Sequence, residues 1–75
     1  MLDLTERQKD YLEFIIDFKQ KHGYSPTYNE LGNGMGVNGS AALDTVRVLN
    51  KKGYIHSSSN VSRSIVVLKL PEGRS

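Results

Sequence analysis

The sequence predicts a mainly α fold with a small β-hairpin, and three observations predict it. Two capping boxes of the form Thr-x-x-Gln/Glu stand ahead of apolar runs, Thr5 with Gln8 and Thr27 with Glu30. Apolar residues recur at helical spacing up to Asn50. After Gly53 the pattern changes to period 2 with β-branched residues. The predicted order is helix, helix, helix, hairpin: a winged helix-turn-helix.

The first helix is "LTERQKDYLEFIIDFKQKHG". Tyr11, Leu12, Ile15, Ile16 and Phe18 form its apolar stripe, with Phe14 at the edge of the core, and Asp10, Glu13, Asp17 and Lys21 lie mostly opposite. Gly23 suits the left-handed residue that ends a helix. In "YSPTYNELGNGMG", Pro26 holds Ser25 extended, Thr27 caps, and Leu31 and Met35 give about two turns an apolar stripe. Gly32 and Gly34 weaken this helix by roughly 1 kcal/mol each relative to alanine, so tertiary contacts must support it. Gly36 ends it, and Asn38–Gly39 reads as the turn that follows.

The third helix is "GSAALDTVRVLNKKG". Ser40 is the expected N-cap, with Ala42, Leu43, Val46 and Leu49 on the buried face. Asp44, Thr45, Arg47 and Asn50 remain outside, and Gly53 stops the helix. Tyr54–Ser57 and Ser64–Leu70 are the expected strands around a polar tip, and residues 71–75 form a tail after a domain of residues 1–70.

Composition narrows the function classes. Seventy-five residues make one small domain, which buries only about 60% of its unfolded surface. There are no cysteines and two distant histidines, so thiolate metal sites are excluded and a zinc site has almost no ligand supply. No apolar run approaches the roughly 20 residues of a membrane span, and the first residues carry no signal pattern. The expected location is the cytoplasm, with no membrane partner. No nucleophile–base pair or carboxylate dyad stands out, so an enzyme is not expected.

Gly34 to Gly39 fits G-x-G-x-x-G, the spacing of a dinucleotide turn. That turn must follow a β-strand inside a βαβ unit, with an acidic ribose partner about 20 residues on. Here a capped helical pattern precedes Gly34, and residues 54–64 contain no Asp or Glu. The glycines serve a helical corner, and no cofactor is expected.

Charge points elsewhere. Residues 1–30 hold four basic against six acidic residues, whereas residues 31–75 hold six basic against two acidic. A basic second half suggests a face for a polyanion; scatter over a solvated surface is the even alternative. A helix 10–12 Å across fits a major groove about 12 Å wide, and a wing can hold flanking phosphates.

Several blocks now carry a resemblance: "LTERQKDYLEFI", "GYSPTYNEL", "LNKKGYI" and "SRSI" stand in order across nearly the whole chain. They resemble the N-terminal DNA-binding domain of the LexA repressors, bacterial regulators of the DNA-damage response. The resemblance implies a winged helix that reads a palindrome in double-stranded DNA as a dimer, with helix 3 in the major groove. By the same resemblance Ser40, Ala41, Leu43 and Asp44 occupy base-reading positions, although Leu43 replaces a polar reader of some members. The corner "GVNGSAALD" is one residue shorter than the family's run into helix 3. The family's self-cleaving, dimerising second half has no counterpart here, so self-cleavage is not implied. An excised domain and a small free-standing relative, such as a phage or plasmid protein, both fit.

Arg47 is the candidate for a charged contact from helix 3, and Lys51 and Lys52 for phosphates; an ion pair and the helix dipole are their bland explanations. Thr27 and Tyr28 are candidates at the start of helix 2, with capping and packing on helix 1 as the rivals. In the wing, Asn60, Ser62 and Arg63 are candidates for phosphate or minor-groove contact, Arg63 foremost. His56 reads as a strand surface residue. In the last strand Ile65 and Val67 face one side, and Val66, Leu68 and Leu70 the other. That second apolar face suggests a homodimer through the strand, with cover by residues 1–4 as the rival. A protein-binding winged helix that does not read DNA is the alternative function, favoured by the modest +2 charge, Leu43 and this strand.

Overall fold

The computed structural model describes residues 4–58 and 63–71. Among them are three helices, α1 (Glu6–His22), α2 (Tyr28–Met35) and α3 (Gly39–Lys51), then strands β1 (Ile55–His56) and β2 (Val66–Val67). The strands pair antiparallel, Ile55 opposite Val67 and His56 opposite Val66. The fold is a winged helix, mainly helical.

Both expected capping boxes form. The Thr5 hydroxyl accepts from the Gln8 amide at 3.1 Å, and Gln8 Oε1 accepts from the Thr5 amide at 3.1 Å. Thr27 and Glu30 repeat this at 3.1 and 2.9 Å. Each box satisfies two amides that a helix start leaves without intrahelical partners. Gly23 ends α1 in the left-handed region, φ 80°.

The corner between α2 and α3 is tighter than the sequence reading. Gly36 turns left-handed at φ 76°, its amide bonds the Asn33 carbonyl, and the Val37 amide bonds Gly32 at 2.8 Å. These paired bonds make a Schellman motif, which closes α2 completely by Val37. Asn38 then caps α3 at once: its Oδ1 accepts from the Ala41 amide at 2.8 Å. The expected cap at Ser40 is therefore corrected to Asn38. The turn residues are Gly36 and Val37, so Asn38–Gly39, a strong turn signal by itself, is free to start the helix. Ser40 lies inside α3 and is exposed.

At the other end of α3, Gly53 is left-handed at φ 84°, and the Tyr54 amide bonds the Leu49 carbonyl at 3.1 Å. This second Schellman closure throws the chain directly into the wing. The strands are shorter than Tyr54–Ser57 and Ser64–Leu70. The Tyr54 carbonyl accepts from both Leu68 and Lys69, at 2.8 and 3.2 Å, so the regular ladder stops there. Ser64 substitutes its hydroxyl for a backbone group, bonding the Ser58 amide and carbonyl, each at 3.0 Å.

The core collects one face from every element: Leu12 and Ile15 of α1, Leu31 of α2, Val46 and Leu49 of α3, and Ile55 of the wing are all fully buried. Tyr11, Ile16, Ala42, Tyr54 and Ile65 complete it. Two expected core residues sit further out. Phe18 is half-buried, its ring tilted against that of His22 with centroids 4.2 Å apart, and Leu43 is only half-buried. The α3 face that packs inward is Ala42, Val46 and Leu49, spaced four and three, and Leu43 falls on its flank. Pro71, where the tail was expected to begin, is fully buried.

Candidate nucleic-acid interface

Because Ala42, Val46 and Leu49 turn α3 toward the core, one stripe of the same helix is left bare. Ser40, Asp44, Arg47, Val48 and Lys51 are all exposed, and their spacing of four, three, one and three puts them on one side. Four of the residues expected to meet a ligand, Ser40, Asp44, Arg47 and Lys51, fall on this stripe. Ala41 and Leu43 flank it, half-buried. Val48, exposed at 37%, was assigned to neither face of the helix by the sequence reading. Its signal was positional, four residues after Asp44.

The stripe has usable chemistry. Arg47 and Asp44 approach to 3.9 Å, but their side chains are 69% and 78% exposed. A pair this long and solvated contributes little, so either group can be redirected to an incoming partner. An exposed guanidinium can engage guanine O6 and N7 or a phosphate. The Asp44 carboxylate can accept from a cytosine amino group, and the Val48 methyls can pack on a thymine methyl.

The approach of α3 to α2 is fixed by small residues. A Cβ on Gly32 would stand 2.7 Å from the Val37 carbonyl oxygen and 2.9 Å from that of Asn38, so the corner closes only over a glycine. Gly39 makes a like approach of α3 to the Asn29 side chain of α2, and Gly34 brings α2 as close to the Phe14 ring of α1. On the other side, Arg7 Nη2 bonds the Met35 carbonyl at 2.9 Å, stitching α1 to the last turn of α2.

The remaining expected residues divide. Lys52 Nζ donates to Gln8 Oε1 at 2.6 Å, so it holds α3 to the first turn of α1. Thr27 is half-buried and uses its hydroxyl oxygen as cap; Tyr28 is half-buried and packs against the core. Arg63 lies at the wing base, and its guanidinium bonds Glu30 at 2.8 and 3.2 Å and the Ser25 carbonyl at 3.1 Å. Asn60 and Ser62 lie outside the described residues. His56 is exposed on β1, as expected. Val66, Leu68 and Leu70 are exposed at 47, 61 and 43%, while Ile65 is buried and Val67 packs on the core. Among the described residues, no group of His, Cys, Asp and Glu could hold a metal ion, and no helix is long and apolar enough to cross a membrane.

The geometry is that of a bare helix on the far side of a tight helical corner with a hairpin beside it, and comparison with known proteins gives its family. The model of the LexA DNA-binding domain matches residues 1–64. The chain belongs to the LexA DNA-binding domain family. It is 42% identical over 69 residues to the LexA repressor of Leptospira biflexa, covering 92% of this chain and 34% of that protein. With the LexA repressor of Desulfatibacillum aliphaticivorans it shares 42% over 74 residues, 97% of this chain and 36% of the relative. The LexA repressor of Thermosipho africanus is 40% identical over 72 residues, 96% and 36% of the two chains. The chain thus spans about a third of the length of the curated relatives it matches.

Membership in the LexA family gives the sequence motifs a structural meaning. In "LTERQ", Thr5 and Gln8 cap α1, Arg7 closes α2, and Gln8 also receives Lys52. In "SPTYNEL", Thr27 and Glu30 cap α2 while Glu30 reaches the wing. These residues set the mutual orientation of the elements, and the bare α3 stripe stands between them.

Proposed function

We propose that this domain binds double-stranded DNA sequence-specifically and acts as a transcriptional repressor. In this reading α3 enters the major groove with Ser40, Asp44, Arg47, Val48 and Lys51 toward the base edges and phosphates. Ala41 and Leu43 lie at the rim, the start of α2 with Thr27 and Tyr28 lies near one backbone, and the wing lies on the backbone or in the minor groove. Lys52 strengthens the local positive field from the end of α3. Residues 1–70 form the binding unit, and the location is the cytoplasm. The observation that carries this reading is the bare α3 stripe, polar and charged at four of its five positions, in a chain that matches the LexA DNA-binding domain over residues 1–64.

The test is a fluorescence titration of the protein into random-sequence duplex DNA from low to physiological salt. Low-salt binding that falls steeply with salt is expected, since each neutralised phosphate releases counterions. Absence of binding at low salt and high protein concentration would overturn the reading. A palindromic operator requires two copies, and the exposed apolar residues Val66 of β2 and Leu68 and Leu70 just after it are the surface this reading assigns to the second one. Analytical ultracentrifugation at tens of micromolar should show a dimer; a pure monomer removes that part.

A further inference from the structure

One side-chain pair ties the wing to the helix-turn-helix. The Arg63 guanidinium meets Glu30 through both of its terminal nitrogens, Nη1 to Oε1 at 2.8 Å and Nη2 to Oε2 at 3.2 Å. Nη1 also donates to the Ser25 carbonyl at 3.1 Å, and the guanidinium carbon stands 4.5 Å from the Tyr24 ring centroid. The fork therefore has a carboxylate, a carbonyl and an aromatic face as partners at once, a set that suits arginine and not lysine. Glu30 is committed as well, because its Oε1 accepts the Thr27 amide that begins α2.

The backbone carries a second sign. Among the described residues, Arg63 is the one non-glycine with positive φ, at 57°. A side chain in this region persists where its surroundings over-determine it.

We propose that Arg63 and Glu30 are positioning residues for DNA: their pair sets the wing at a fixed angle to α2 and α3. Arg63 then acts through the wing's placement, in place of the phosphate contact its sequence context suggests. A guanidinium already neutralised by a bidentate carboxylate adds little net attraction for phosphate. A wing held in one orientation removes the loss of affinity that a partly populated binding geometry imposes. This inference rests on the DNA-binding reading and assigns the wing's hinge within it.

The experiment compares Glu30→Gln, Arg63→Lys, Arg63→Ala and the Glu30→Gln/Arg63→Ala double variant with the parent. Dissociation constants for duplex DNA are measured across salt, and wing amide hydrogen exchange is measured without DNA. Glutamine keeps the α2 capping box but gives up the two-point grip, so Glu30→Gln retains the fold even where an Arg63 variant does not. Each single variant should weaken DNA binding by about fivefold, the size expected for a well-formed but half-exposed pair, with the parent's salt slope. The double variant should lose no more than either single one. Exchange at the Ser58 and Leu68 amides should quicken in all of them.

A phosphate-contacting Arg63 predicts the reverse pattern. Arg63→Ala would lower the salt slope by about one, Arg63→Lys would restore it, and Glu30→Gln would tighten binding by removing a negative charge. That pattern, or unchanged wing exchange in Glu30→Gln, overturns the proposal. A parent that fails to bind duplex DNA removes the DNA reading and the positioning role with it, and the exchange data still report separately whether the pair fastens the wing.

Discussion

Gly32 lies under the Val37 carbonyl so closely that a Cβ on it would stand 2.7 Å from that oxygen. This contact sets how near the end of α2 comes to the start of α3. The obstructing atoms belong to the backbone, which cannot swing aside. Gly32→Ala should therefore destabilise the domain by about 1–2 kcal/mol, the cost of overpacking less the gain of alanine in a helix. Urea denaturation measures it. At Gly39 the facing group is the Asn29 side chain, which can rotate, so Gly39→Ala should be milder. Equal losses at the two positions would contradict this account of the corner.

The cap of α3 gives a second contrast. Asn38→Ala removes the acceptor for the Ala41 amide and should cost about 1 kcal/mol. Ser40→Ala removes an exposed hydroxyl from the interior of the helix and should change stability by less than about 0.5 kcal/mol. Thermal denaturation separates them. A larger loss at Ser40 would restore it as the cap.

The bare stripe predicts changes in binding without changes in fold. Arg47→Ala should weaken DNA binding and, where its contact is a phosphate, lower the salt slope by about one. Asp44→Asn should raise affinity for random DNA, since it removes a negative charge from the stripe proposed to meet the duplex. Anisotropy titrations on random and selected duplexes measure both. Arg47→Ala with the parent's affinity on every sequence would remove α3 as the reader.

Acid should loosen the wing. The Thr27 backbone amide, followed by the Arg63 hydrogen bond, holds the Glu30 carboxyl below the ordinary glutamate range, partly opposed by burial. A carboxyl depressed in the folded state stabilises it above the unfolded value, and that contribution is lost as pH falls through the folded value. Hydrogen exchange of the wing amides should quicken, relative to the intrinsic rate, from neutral pH to below the ordinary glutamate range. In Glu30→Gln this acid dependence should flatten. A parent and variant with the same acid profile would assign the loosening to other carboxyls.

Much of this was legible in the sequence because it rests on local chemistry. The capping boxes at Thr5 and Thr27, the left-handed glycines 23, 36 and 53, and the core stripe of α1 each follow from residues within a few positions of one another. What escaped depends on distant partners. Ser40 looks like a cap by its own type, but the Schellman bond from Val37 to Gly32 ends α2 early enough for Asn38 to act first. Arg63 looks like a free cation at a loop, and only the fold brings Glu30, 33 residues away, within 2.8 Å. Leu43 looks like core, and Val48 has no assigned side, until Ala42, Val46 and Leu49 fix the rotation of α3. The strands were overestimated because β-branched residues mark propensity, whereas the Tyr54 carbonyl ends the ladder by accepting from two amides.

The most direct measurement is amide chemical-shift mapping of the domain during titration with a selected duplex. The account predicts that perturbations concentrate at Ser40, Asp44, Arg47, Val48 and Lys51, with a second group in the wing. Perturbations confined to Val66, Leu68 and Leu70, with α3 silent, would contradict it.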